Sequence, residues 1–336
     1  MNEILKDYVR VCREAIEIAE DIKLDMPEPS HMVFTGMGGS GISGNLVKDI
    51  VKDDITQPID VSKGYNLPGF AKEGSLVVCT SYSGNTEETL SQFVEALKRK
   101  CHIISIGSGG KLLEWSKRFG VPFIQVPSGY QPRESIPYLF FPLIMCMQKI
   151  FKVDFSRDIE EFLSVVPTIN LADIDKIASA VKDTMPVIYG PSGFLGVMRR
   201  TKSELNENSK MHAKFEELPE LSHNEVVGYE LFEYPNLSVI FMRDHDELPV
   251  MSKRIEIVKD IIKGKVGSFH DIWAYGNSKL AKILSLVYQG DYLSFKLAEL
   301  RNVDWKTTKT IDKVKESLKE LGTVEKLEKE LEFISS

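Results

Sequence analysis

Ile4, Tyr8, Val11, Cys12, Ala15, Ala19 and Ile22 recur at helical spacing, which predicts a helix over 2–22. Pro27, Pro29 and Ser30 break the chain, and the apolar run His31-Val33-Phe34 then reads as a strand. A glycine-rich turn leads into a helix near 43–53. Further strands are expected at Ile59-Val61, Leu76–Cys79, Ile103–Ile106 and Phe123–Val126, with helices near 86–99, 111–119 and 135–150. Strands that alternate with helices predict a parallel sheet covered on both faces, an α/β fold.

The segment 151–183 is helical and polar with no strand pattern, and the alternation then starts again. Val187–Gly190 is a strand ending in glycine, as Val33–Gly36 is. Helices over 194–208 and 249–263 flank the strand Leu237–Phe241, and Lys265-Val266 echoes His102-Ile103. Even Glu217-Leu218-Pro219-Glu220 matches Asn66-Leu67-Pro68-Gly69 in place. Two copies of one α/β unit follow, the second having lost most of its glycine and serine turns. The expected domains are 1–152, a unit with its N-terminal helix; 153–183, a helical connector; and 184–336, a second unit with C-terminal helices. A long helical pattern covers 277–302, and 309–332 reads as a solvated hairpin of two charged helices broken at Gly322.

Charge narrows the function. The 42 Lys+Arg stand against 49 Asp+Glu, a formal charge of −7, with no segregated basic patch for nucleic acid. The longest apolar stretch, Pro137–Met147, is interrupted by Pro142 and too short to span a bilayer. The charged, helical N-terminus does not read as a signal peptide, and Cys12, Cys79, Cys101 and Cys146 form no C-x-x-C. Reduced core cysteines in a cytoplasmic protein are expected. The six histidines form no metal-binding spacing.

Two loops carry candidate chemistry. Gly36-Met37-Gly38-Gly39-Ser40-Gly41 matches G-x-G-x-x-G between a strand and a helix, with Asp60 at the end of the next strand. That context fits a dinucleotide site, a purely structural tight turn, or another phosphate ligand at a helix N-terminus. The second loop is Thr80-Ser81-Tyr82-Ser83-Gly84-Asn85-Thr86, again between strand and helix. One hydroxyl there would be an N-cap. Ser81, Ser83 and Thr86 together exceed what a cap needs and suit the oxygens of a phosphate monoester held between two strand ends.

G-M-G-G-S-G and S-Y-S-G-N-T-E-E-T together resemble the sugar isomerase (SIS) superfamily. The tandem units, with Asn206-Glu207-Asn208, Leu221-Ser222-His223-Asn224 and Gly290-Asp291-Tyr292-Leu293-Ser294, resemble its bifunctional phosphoglucose/phosphomannose isomerases over about residues 30–320. The resemblance implies two tandem SIS units and sugar 6-phosphate substrates, with no cofactor and no metal. It implies that Gly39, Ser40, Ser81, Ser83 and Thr86 hold the phosphate. Arg133, in Gln131-Pro132-Arg133-Glu134-Ser135, would stand near the reacting carbons. Glu207 would be the base, His223 the ring-opening residue, and Ser294 a small specificity residue. Arg301 falls where a basic ring-opening residue is expected. The resemblance also implies a homodimer in which His223 reaches the neighbouring subunit's active site.

Taken singly, the same residues have plainer readings. Glu207 is a solvated helix residue, His223 a surface or capping histidine, and Arg133 the partner of Glu134. Two other functions remain open on the sequence: a nicotinamide-dependent oxidoreductase built on Gly36–Gly41 and Asp60, and a non-catalytic phosphosugar-binding module.

Overall fold

The computed structural model describes residues 3–335. Met1, Asn2 and Ser336, the outer ends of the expected first helix and domains, lie outside the described residues. Along the chain, α1 (Glu3–Lys6) and α2 (Tyr8–Glu20) precede β1 (His31–Thr35), α3 (Gly39–Val51), β2 (Ile59–Ser62) and β3 (Ser75–Thr80). Then come α4 (Glu87–Lys98), β4 (His102–Gly107), α5 (Gly110–Phe119), β5 (Phe123–Gln125) and α6 (Ile136–Phe151).

The first unit spans Asp7–Phe155 and adds the helices after Thr308. Its sheet has the order β2-β1-β3-β4-β5, with every pairing parallel. All six residues of β3 are buried, because helices cover both faces of such a sheet. That is why the central strands read as continuous apolar runs rather than alternating ones. On one face α2 packs against α6. Tyr138 donates to Glu14 at 2.9 Å, and Lys149 Nζ reaches the carbonyls of Ala19 at 2.9 Å and Ile22 at 3.0 Å. A cation thereby sits on carbonyls at the end of α2 and just beyond it, where the helix dipole favours positive charge.

The second unit holds Ser156–Thr307 and the short α1. It contains α7 (Ser156–Val165), α8 (Leu171–Val181), β6 (Met185–Pro191), α9 (Leu195–Glu207), β7 (Lys214–Leu218), β8 (Tyr234–Arg243), α10 (Pro249–Ile262), β9 (Val266–Trp273) and α11 (Lys279–Leu300). Its parallel sheet has the order β7-β6-β8-β9, which repeats β2-β1-β3-β4 strand for strand. The repeat expected from sequence is therefore present in the topology. One strand was absent from the sequence reading: β7, Lys-Phe-Glu-Glu-Leu, lies at a sheet edge where mostly polar residues are tolerated.

Three expected boundaries are corrected, the first being that α1 belongs to the second unit and not to the first. The segment 153–183 is helical, but it does not act as a connector: from Ser156 onward it belongs to the second unit, where α7 and α8 pack on α11. The Glu161 carboxylate accepts from Asn277 N at 2.8 Å and Ser278 N at 2.9 Å, at the start of α11. The last two helices, α12 (Lys309–Lys319) and α13 (Thr323–Ser335), belong to the first unit and not to the second. Leu327 and Leu331 enter the core formed by Val77, Leu90, Phe93 and Trp115. Lys98–Glu330 at 2.6 Å and Lys111–Glu328 at 2.7 Å flank them. The solvated reading holds for α12, which buries no residue, and fails for α13.

Candidate active site

In the first sheet the chain runs outward from β1 to β2 and then returns to β3 on the other side of β1. The carboxyl ends of β1 and β3 therefore sit side by side at the point where the winding reverses. Open α/β sheets bind ligands there. The glycine turn leaves β1 and the serine loop leaves β3, so both candidate loops meet at that place.

Ser40 is 6% exposed, and its Oγ accepts from Tyr82 N at 3.1 Å. Ser81 Oγ accepts from Gly84 N at 3.1 Å and pairs with Thr86 Oγ1 at 2.9 Å. Thr86 occupies the N-cap position of α4 yet makes no side-chain capping bond. The plain N-cap explanation thus fails for the residue it suited best. Between Ser81 and Thr86 one hydroxyl hydrogen remains to donate. Ser83 is exposed, and its Oγ accepts from Asn85 N at 3.3 Å. Opposing charge is also present: Glu87 and Glu88 occupy the first turn of α4. An anion bound at this helix end sits against two carboxylates.

The loop carrying Arg133 is part of the same cluster. A Cβ built on Gly39 would lie 2.8 Å from Pro132 O and 3.4 Å from Arg133 Cα. Gly39 therefore lets the arginine loop touch the start of α3, which is a packing reason for a glycine read as phosphate-binding. Arg133 is 3% exposed. Glu134 Oε2 accepts from Gln131 N at 3.1 Å.

Sequence reasoning missed the loop between β4 and α5. Gly84 approaches Gly109 so closely that a Cβ would fall 1.8 Å from its carbonyl oxygen. Asn85 Oδ1 accepts from Lys111 N at 3.0 Å, and Leu112 N donates to Gly84 O at 2.9 Å. The run Gly107-Ser108-Gly109-Gly110 was the available signal. Lys63, just beyond β2, was missed too: its Cε lies 3.3 Å from where a Gly41 Cβ would be.

The dinucleotide reading loses its acidic residue. Asp60 pairs with Val33, and Ser62 pairs with Thr35. Asp60 therefore lies two residues, about 7 Å, short of the strand end where a ribose would sit.

The remaining expected residues lie in the second unit. Glu207 ends α9 and is half-buried, with its carbonyl accepting from Lys210 Nζ at 2.5 Å. His223 is exposed on a short turn, Glu220–His223. That turn is anchored by buried Leu221, and in the turn that follows Glu225 Oε1 accepts from the Tyr189 hydroxyl at 2.7 Å. Ser294 has no exposed surface. Its Oγ donates to Asp291 O at 2.7 Å and accepts from Asn208 Nδ2 at 2.9 Å. Ser294, expected as a small specificity residue, is thus enclosed and bonded on both sides of its hydroxyl. Arg301 follows α11 and donates to Lys182 O at 2.5 Å, next to the end of α8.

Beneath Asn206-Glu207-Asn208 runs a buried charged network. Arg200, 2% exposed, grips Asp291 with Nε–Oδ1 at 2.9 Å and Nη2–Oδ2 at 3.0 Å. It also pairs with Glu204 at 2.7 Å, and Glu204 accepts from Asn208 at 2.8 Å. Burial pushes the Asp291 carboxyl up, and Arg200 opposes that shift. Two of the three segments that carried the resemblance, Asn206–Asn208 and Gly290–Ser294, are thus joined in space through Asn208 and Ser294.

The winding reversal of the second sheet carries no matching cradle. Arg243, at the end of β8, is held by Glu247 and by Glu256 at 3.1 Å, and lies over the Trp273 ring at 4.7 Å. Among the described residues no three His, Cys, Asp or Glu are grouped to hold a metal ion, and no helix is long and apolar enough to cross a membrane. Cys12, Cys79 and Cys146 are buried and Cys101 half-buried; burial pushes the Cys146 thiol up to about 12.

Comparison with known proteins agrees with this architecture. The profile described as "Bacterial phospho-glucose isomerase C-terminal SIS domain" matches residues 172–318. A bifunctional phosphoglucose/phosphomannose isomerase of Caldicellulosiruptor bescii is 37% identical over 344 residues, covering 96% of this chain and 99% of the relative. A D-glucosamine-6-phosphate 4-epimerase of Sulfolobus acidocaldarius is 34% identical over 226 residues, covering 63% of this chain and 70% of the relative. The fold is also that of the C-terminal domain of glucosamine-fructose-6-phosphate aminotransferase from Francisella tularensis, at a TM-score of 0.69 and 16% identity, covering 90% of this chain and 96% of that one. With near-complete coverage at that first level of identity, the chain belongs to the bifunctional phosphoglucose/phosphomannose isomerase family.

Proposed function

We propose that the protein interconverts glucose 6-phosphate or mannose 6-phosphate with fructose 6-phosphate. The observation that carries this is the pair of hydroxyl-bearing loops at the adjacent ends of β1 and β3, where Thr86 bonds Ser81 instead of capping its helix. Ser40, Ser81, Ser83 and Thr86 hold the phosphate monoester, and the glycine turn gives its backbone room to approach.

The reaction needs three groups. The sugar ring opens first, by proton transfer between the ring oxygen and the anomeric hydroxyl. Histidine suits this step because its free pKa, about 6.5, lies close to neutrality; that is the role of His223. Glu207 then takes the proton from C2 and returns it to C1. Arg133 faces the negative charge that builds on O1 and O2 of the cis-enediolate, a role worth about 10²–10³ in rate for such donors. The proton and both electrons of the C–H bond stay within the substrate and base, so the steps balance without a redox partner. Because the enediolate is planar at C2, one base serves both aldoses.

The enzyme acts in the cytoplasm as a homodimer, with His223 supplied to the neighbouring copy's active site. Its exposure on an anchored turn supports that reading. Mixing His223→Ala protein with Glu207→Gln protein should then restore activity that neither has alone; a mixture as inactive as its parts refutes the sharing.

A coupled assay for fructose 6-phosphate formation from each aldose phosphate tests the main reading. Glu207→Gln should abolish both activities, and loss of only one would end the shared-base idea. The similarity to an amino-sugar epimerase favours one competitor. Glucosamine 6-phosphate consumed while both aldose phosphates are left untouched would establish that alternative.

A further inference from the structure

We propose that Tyr82 is a positioning residue that ties the phosphate cradle to the loop carrying Arg133; this rests on the isomerase reading above. Tyr82 stands between Ser81 and Ser83 and is only 5% exposed. Its backbone and side chain reach three different loops. Its N–H donates to Ser40 Oγ at 3.1 Å, in the glycine turn. Its carbonyl accepts from Ser108 N at 2.8 Å and from Ser108 Oγ at 2.6 Å, in the loop before α5. Its phenol donates to Pro127 O at 2.9 Å and accepts from Tyr130 N at 3.0 Å.

The phenol is thereby used as donor and acceptor at once, which phenylalanine cannot imitate. Both of its partners are backbone groups of the segment that leads into Arg133. Beyond them the segment is held again: Ser135 Oγ donates to Gln131 O at 3.0 Å, and the Tyr130 ring stacks on Tyr138 with centroids 5.7 Å apart. Arg133 lies between these two anchorages, against Gly39. The residue that shapes the serine loop therefore also sets where the arginine loop can lie. Packing alone would need the ring but not the hydroxyl.

Tyr82→Phe keeps the ring and all three backbone hydrogen bonds, and removes only the two phenol bonds. Displacing a group that stabilises the transition state lowers kcat more than it weakens ground-state binding. The variant should lose about 10- to 100-fold in kcat, the scale of a small misplacement of a catalytic group. KM for fructose 6-phosphate and competitive inhibition by inorganic phosphate should stay within about twofold. Amide hydrogen exchange should quicken at Tyr130. An unchanged kcat, or loss of phosphate inhibition in step with kcat, overturns the proposal. If Tyr82→Phe does not fold, Ser108→Ala removes just the hydroxyl bond to the Tyr82 carbonyl. A lowered kcat with KM held then supports the proposal, and an unchanged kcat rejects it. A wild-type protein that isomerises neither aldose phosphate would instead refute the isomerase reading, which separates the two failures.

Discussion

Asn208 Nδ2 donates to the Ser294 hydroxyl at 2.9 Å, and the same amide donates to Glu204 at 2.8 Å. The serine is therefore a strut between α9 and α11, directly behind the residue after Glu207.

Ser294→Gln should be costly for both aldoses. Three added heavy atoms enter a site with no exposed surface, and overpacking of that kind costs about 1–3 kcal/mol. Melting temperature should fall, and the two activities should fall together. A selective loss of mannose 6-phosphate turnover at unchanged stability would show that room beside Ser294 governs specificity after all.

Asp291→Asn should destabilise the second unit more severely. It leaves the Arg200 guanidinium, itself 2% exposed, without half of its charge compensation. Breaking one partner of a buried pair costs about 3–5 kcal/mol. Chemical denaturation read by circular dichroism should show the loss. The triple variant Arg200→Met, Glu204→Gln and Asp291→Leu should recover part of it, since it removes the buried Glu204 charge together with the other two and so leaves none unmatched.

Gly39→Ala should lower kcat without removing any hydroxyl of the cradle. The added methyl would meet Pro132 O at 2.8 Å and push the arginine loop away. Inhibition by inorganic phosphate should survive. Equal losses of phosphate inhibition and kcat would mean that Gly39 acts on the phosphate itself.

Acid stability should depend on Glu161. Hydrogen bonds from Ser278 and Asn277 hold its carboxyl down at about 2, against an ordinary value of 4.5. Stabilisation from this group is complete above the ordinary value and is lost as pH falls through about 2. Glu161→Gln should therefore lower the melting temperature near neutrality and narrow its gap to the wild type as pH drops from 5 toward 2. A gap that stays constant with pH would contradict the assignment.

Much of this architecture could be read from residue patterns. Buried parallel strands such as Ser75–Thr80 are uninterrupted apolar runs, and α4, α5 and α10 show one buried stripe each, so their positions followed from periodicity. The paired loops could be read because a run of glycines and a cluster of three hydroxyls exceed what a single helix cap uses. What escaped depends on partners far along the chain. Nothing local distinguishes Leu327 and Leu331 from other leucines of a charged helix; only their neighbours Leu90 and Trp115 make them core. Arg200 and Glu204 look like ordinary charged helix residues until Asp291 is brought against them. Tyr82 has no periodic signature, since its contacts are made mainly through backbone and a single oxygen.

The placement of α13 against α4 has a consequence for how the protein can be made and divided. The core of the first unit includes Leu327 and Leu331, so it stays unfinished until α13 has been translated. A nascent chain released through Thr307 would carry an open apolar seam over Leu90 and Phe93, and expression of residues 7–155 by themselves should yield insoluble material unless that seam is closed by the missing helix.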